Sequence, residues 1–242
     1  MRGSRTQCER KVLFPDTFAE TLWNRGLRTF EQVFFGKGGR DQAAVFWNNA
    51  QTNCTWYPPN VDSKEHSGLV PVSLYGDDVQ AYRNSDPGAV SVIGWGSDLA
   101  KGNDPMLQYL LVAVYSEYCS NEHTYADLLE ALIPRFRSLC STDKPWSAAG
   151  FRFVWTGVQG DLKWIYQKYH IHNFAKNAFC DLCNAVKQHP DPRATMMCFT
   201  SHATHVEVTH SDFCAAHPVE SWPTPTLAGV RLERFMPLRC AA

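Results

Sequence analysis

Leu69-Val70-Pro71-Val72-Ser73-Leu74-Tyr75-Gly76-Asp77-Asp78 is a short apolar run closed by two carboxylates. Its length and its β-branched and aromatic residues specify a strand, and Gly76-Asp77-Asp78 reads as the strand's end. Residues 89–95, AVSVIGW, repeat the texture after a turn at Asn84-Ser85-Asp86-Pro87-Gly88, so two neighbouring strands are expected. FRFVWTGV at 151–158 is the clearest strand of all, and Gly160-Asp161 turns the chain after it. Around these strands the spacing predicts helices. One covers 16–35 from an Asp16 cap, a second 41–50, a third 105–118, and a fourth runs over 124–140 from a Thr124 cap with Pro134 inside it. A further helical pattern, NFAKNAFCDLCNAVKQ, occupies 173–188. The expected class is α/β. Its parts are an N-terminal helical segment and linker at 1–67, a core at 68–179 and a Cys/His-rich segment at 180–242.

Composition fits this reading. Hydrophobic residues make up 44 % of the 242 and aromatics 13 %, while charged residues reach only 19 %, so a sizeable aromatic core is available and wholesale disorder is excluded. No apolar run approaches the ~18 residues of a membrane span, and MRGSRTQCERK lacks the apolar centre of a signal peptide. The chain therefore reads as soluble and intracellular, with no membrane partner. Nine cysteines agree, because an odd number at uneven spacing is no secreted disulfide framework. The net charge of −1 conceals an acidic middle: residues 62–130 carry eleven acids against three bases, between flanks that are each mildly basic. That pattern suits either ordinary solvated faces or a carboxylate-lined metal site meeting a polyanion on basic shoulders.

Two sets of residues bear chemistry. Asp77 and Asp161 each follow an apolar strand, and groups at strand ends of an α/β sheet converge where ligands bind. Carboxylates placed so hold hard cations such as Mg²⁺, with Asp78 an accessory oxygen donor. The alternative is that these acids are turn and helix-cap residues. The second set is Cys180-x₂-Cys183 with Cys214-x₂-His217, a Cys₃His group with tetrahedral zinc spacing, or else buried unreactive thiols. His202, His205 and His210 lack the H-E-x-x-H order of a zinc protease. Phe35 to Gly39 has no P-loop spacing, and Gly94-Trp95-Gly96-Ser97 lacks the order of a nucleophile elbow; both read as turns. Trp164, Tyr166, Tyr169, His170 and Phe174 beside Lys163 and Lys168 suit either a helical core or a base-stacking surface.

The order of these elements resembles the RNase H-like catalytic core of cut-and-paste DDE transposases, especially the CACTA-type group, in which a Cys pair follows the second acid. It is also similar to a group of uncharacterised dinoflagellate proteins that share phrases like VPVSLYGDD and FCDLCNA. The likeness covers about residues 69–185. It implies an RNase H-like mixed sheet flanked by helices, with Asp77 as the first metal-binding acid, Asp161 as the second, and Cys180 with Cys183 as the inserted zinc pair. The implied activity is Mg²⁺-dependent cleavage or strand transfer on DNA, by two ions about 4 Å apart, in the nucleus. Asp212, Glu220 and Glu233 are the candidates for a third acid, none on a recognisable helix. The expectation is a mobile-element protein cut short and weak or inactive in cleavage. The competing expectation is a non-catalytic, zinc-stabilised module that binds nucleic acid or protein.

Overall fold

The computed structural model describes residues 9–53, 57, 61–80, 88–100, 109–121, 123–169, 175–178, 183–198 and 200–206. These residues form two compact units, one running to Gln159 and one beginning at Gly160. The first holds α1 (Pro15–Asn24), α2 (Leu27–Phe34), α3 (Gly39–Asn53), β1 (Leu69–Gln80), β2 (Ala89–Ser97), β3 (Leu110–Ser116), α4 (Thr124–Leu139), the single turn α5 (Pro145–Ala148) and β4 (Arg152–Gly160), whose last residue opens the second unit. The class is α/β.

The sheet has the order β3-β2-β1-β4. β2 lies antiparallel to both β1 and β3. β4 runs in the same direction as β1. A side chain on Gly68 would strike the Gly150 carbonyl, the Thr156 hydroxyl reaches Val72 O at 2.9 Å, and Gln159 reaches Ser73, so both chains advance together. The sheet is therefore mixed.

One face of this sheet is the core. Leu74 of β1 stands opposite Trp95 of β2, and both are fully buried. Trp95 meets Phe18 of α1, Phe34 of α2, Phe136 of α4 and Phe153 of β4 at ring-centroid distances of 5.7–6.5 Å. Aromatic pairs gain from tilted and edge-on geometry beyond the area they bury, and one indole here joins three helices to two strands. The opposite face is more open around β3, where Leu111 is 46 % and Val114 50 % exposed. At the sheet's edge the Leu13 amide donates to Val112 O at 2.9 Å.

Several expectations need correction. The helix expected over 16–35 is two helices, because Gly26 takes φ 115°, which only glycine adopts without strain. Pro15 opens α1, so Asp16 lies inside the first turn, where it accepts from Thr17 N and pairs with Arg135. His123, not Thr124, is the N-cap of α4. The stretch Leu110–Ser116 is a strand, not part of a helix over 105–118. Its register against β2 slips between Ile93 and Gly94, which puts Leu110, Val112, Ala113 and Tyr115 inward and blurs the alternation that marks a strand. β1 continues to Gln80, so Asp77 and Asp78 lie within the strand, and Gly94 to Ser97 belong to β2 instead of a turn. The helix expected over 173–188 also fails for its described residues. The helix comes earlier, as α6 (Leu162–Tyr169), and Ala178, Val186 and Thr195 then form extended bridges. Among the described residues no helix is long and apolar enough to cross a membrane.

Trp95→Ala is expected to lower the unfolding free energy by about 3–5 kcal/mol, whereas Leu111→Ala, at an open position, should change it by less than about 0.5 kcal/mol. Urea denaturation of the two variants measures the difference.

Candidate functional site

Successive side chains of a strand point to opposite faces, which separates the two carboxylates of β1. Asp78 pairs in register with Ser91, and Ser91 with Tyr115, across three strands on the helix-covered face. The Ser91 hydroxyl donates to Asp78 Oδ1 at 2.5 Å. Burial pushes the Tyr115 hydroxyl above its ordinary pKa of 10.0, partly opposed by its hydrogen bond with Ser91. Asp77 lies on the other face with Ser73 and Tyr75. The Tyr75 hydroxyl donates to Asp77 Oδ2 at 3.0 Å, and the Tyr75 ring stacks on Tyr109 at 4.2 Å. Gly94, opposite Tyr75, makes room for this stack: a Cβ there would crowd the Tyr109 side chain and the Leu110 carbonyl.

Beside this row, where β1, β4 and the end of β2 meet, is a carboxylate that the sequence reading did not single out. Asp98 follows β2 directly. Its Oδ1 accepts from the Ser73 hydroxyl and from Gln159 Nε2, both at 2.9 Å, and its Oδ2 contacts the Thr156 hydroxyl at 2.6 Å. Gln159 Nε2 also donates to Ser73 Oγ at 2.9 Å, and Tyr109 donates to Gln159 Oε1 at 3.4 Å. Ser73 and Thr156 are each 1 % exposed, so Asp98 supplies acceptors to hydroxyls that have little access to water. Gln159 and Thr156 both reach Asp98 although they are three positions apart. Gly157, at φ 151°, breaks the alternation between them.

Asp161 is the first residue after β4. Its Oδ1 accepts from Trp164 N at 2.5 Å, the capping bond that starts α6. The helix-cap role weighed for this residue is therefore real, and it occupies one carboxylate oxygen.

In the second unit Asn184 N donates to Val206 O at 3.1 Å, and Val206 N donates to Asn184 Oδ1 at 2.7 Å. These bonds bring Cys183 and His205, the residues just before each partner, into one neighbourhood. Among the described residues the buried Nδ1 of His205 has no hydrogen-bond partner. The Cys198 thiol is held below its ordinary pKa of 9.0 by its hydrogen bond with Thr200. Cys180, Cys214 and His217 lie outside the described residues, as do Asp212, Glu220 and Glu233. Among the described residues no three His, Cys, Asp or Glu side chains assemble as a metal-binding group.

A cavity of about 670 Å³ lies at the other end of β1 and β4, between Lys64, Gly68, Lys144 and Arg152. Of the four cations that line it, Arg152 is paired with Glu65, Lys144 with Glu20 and Arg40 with Glu31, so most of its positive charge is already matched.

The chain matches no protein-family model, no curated protein and no solved structure.

Asp98→Ala should destabilise the protein by about 1–3 kcal/mol, the cost of leaving the buried Ser73 hydroxyl without its acceptor and of losing the contacts with Thr156 and Gln159. Thr156→Val in the same chain should add less than it costs alone, because the two groups share one network. A double-mutant cycle in urea reads this coupling, and strict additivity would show that the contact carries no energy.

Proposed function

We propose that this chain carries a metal-dependent site for DNA phosphodiester cleavage or strand transfer, with an RNase H-like sheet as its frame and Asp77 and Asp161 as its acids. The observation that carries this reading is the pairing of β1 with β4. The two strands are neighbours and run in the same direction, Asp77 lies in the second half of one, and Asp161 directly follows the other. Three antiparallel strands in a row with a fourth beside the first suit an RNase H-like core.

The donor set fits Mg²⁺, because carboxylate oxygens are the hard ligands that this ion takes. Asp77 is steadied by the Tyr75 hydroxyl and Asp161 by the Trp164 amide, so each keeps its orientation without a cation. Bound Mg²⁺ would supply positive charge to the attacking and leaving oxygens of an in-line displacement. Asp78, turned to the other face of β1, has the lesser claim as a ligand. Asp98 is better suited to holding strands together than to completing the acid set, since both of its oxygens are engaged with side chains of β1 and β4. Lysines and arginines of the flanks would bind the DNA backbone in a salt-sensitive way.

Cleavage or strand transfer should require Mg²⁺ or Mn²⁺ and should disappear in Asp161→Asn, which keeps the cap's size and its oxygen while removing the charge that holds the ion. A nicking assay on supercoiled DNA, with circular dichroism to confirm folding, checks this. Activity that survives the substitution removes the reading. With no third acid assigned, turnover by this chain is expected to be weak.

A second reading rests on its own observation, the unpartnered ring nitrogen of His205 in the neighbourhood of Cys183. It makes the second unit a zinc-stabilised module for binding nucleic acid or protein, with Cys180 and Cys183 as one pair of ligands. Cys214 and His217 are the second pair by spacing, and His205 competes with them. About one zinc per chain is expected. Loss of zinc in His205→Gln with retention in His217→Gln would assign the imidazole to His205, and the opposite result would assign it to His217.

A further inference from the structure

Beyond their places beside the strands, the two acids of the proposed site share a pattern: in each, the protein holds one carboxylate oxygen and not the other. Asp161 Oδ1 accepts from Trp164 N. Asp77 Oδ2 accepts from the Tyr75 hydroxyl at 3.0 Å, and among the described residues its Oδ1 has no hydrogen-bond partner. Asp77 is only partly buried, and Asp161 is exposed.

Tyr75 and Asp77 are two places apart on one strand and so lie on one face, yet the aim of the hydroxyl is set from further off. The Tyr75 ring stacks on Tyr109 with centroids 4.2 Å apart and planes 22° from parallel. The Tyr109 hydroxyl donates to Gln159 Oε1 at 3.4 Å, and Gln159 Nε2 donates to Asp98 and to Ser73, each at 2.9 Å. Gly94, across from Tyr75, leaves the room this stack needs, since a Cβ there would stand 3.3 Å from Tyr109 Cβ. Residues of β4 and of the approach to β3 therefore fix how Tyr75 meets Asp77.

A carboxylate with both oxygens open can grip a cation by one or by two. Ca²⁺ takes about 6–8 oxygens in loose geometry and accepts the two-oxygen grip. Mg²⁺ demands a near-octahedral shell at about 2.0–2.1 Å and keeps several waters, so it is served by single oxygens. We infer that Tyr75 is a positioning residue that sets ion selectivity: by occupying Asp77 Oδ2 it leaves Oδ1 as the one ligand oxygen, and so favours Mg²⁺ or Mn²⁺ over Ca²⁺. It touches no ion itself and acts through Asp77, as hydrogen-bonded partners of metal ligands do. The inference rests on the reading of Asp77 as a metal ligand, and it concerns which ion is taken rather than what is cleaved.

The test uses the full chain and reads Mn²⁺ binding by electron paramagnetic resonance, with Ca²⁺ as competitor and circular dichroism to confirm folding. Mn²⁺ binding should be lost in Asp77→Asn. Tyr75→Phe removes the hydroxyl and keeps the stacked ring; its Mn²⁺ affinity should fall about 10–100-fold. Ca²⁺ affinity should fall less or rise, so the preference for Mn²⁺ over Ca²⁺ narrows several-fold. A general loosening of the strand would weaken both ions alike, so an equal loss for both, or no change for either, overturns the proposal. If Tyr75→Phe does not fold, infrared difference spectra of the natural chain with Mg²⁺ decide: the carboxylate bands that are missing in Asp77→Asn must show one-oxygen ligation, and a two-oxygen pattern overturns the proposal. A natural chain that binds no Mn²⁺, or whose binding survives Asp77→Asn, removes both this inference and the cleavage reading. The selectivity change without any nicking of DNA upholds the inference and removes the cleavage reading alone.

Discussion

The burial of Trp95 against Leu74 is the constraint from which the rest of the first unit follows. An indole in the middle of a strand needs apolar partners on every side, and α1, α2, α4 and β4 each provide one ring. Because facing residues of paired strands share a face, this contact commits Ile93, Val72 and Leu74 to the helices. Ser73, Tyr75 and Asp77 are committed to the other side by the same alternation. The polar row containing Asp77 is thus a consequence of where the tryptophan lies.

On that second face polarity has a structural task. Asp98, reached from β1 by Ser73 and from β4 by Thr156 and Gln159, binds the two strands that matter most for the proposed site. A backbone ladder alone tolerates small shifts between neighbouring strands. A shared carboxylate with several donors tolerates few, since any shift breaks more than one bond at once. The close pass of Gly68 and Gly150 sets the same register at the strands' beginnings.

Much of this was legible in the sequence, and the failures have physical causes. β1, β2 and β4 declared themselves through β-branched and aromatic runs, and α3 and α4 through their spacing. β3 was hidden because a bulge at Val112 gives its inward residues an uneven period. The break at Gly26 was hidden because the apolar pattern continues across it, and glycine inside such a pattern marks a break only when its φ is known. The residues after α6 carry a helical pattern over 173–188, yet their described part is held by contacts between distant segments, such as Val186 with Ala194 and Met196. No local period foretells such contacts. Asp98 was illegible for the same reason: nothing next to it in the chain shows that Ser73 and Thr156, 25 and 58 residues away, will surround it. His205 was passed over because its spacing matched no protease motif, whereas its interest comes from a pairing across 22 residues.

The edge of the sheet at β3 has a consequence for handling the protein. An outer strand offers backbone donors and acceptors to any extended chain that approaches, and β3 adds the exposed Leu111 and Val114 to that invitation. Residues just before α1 act as a guard, with the Leu13 amide occupying Val112 O. Trimming the chain to start at Pro15 would remove this guard and leave a longer sticky border, favouring stacking of molecules edge to edge at the concentrations used for crystallisation. The residues just before α1 thus cover a part of the sheet's border that would otherwise stand open.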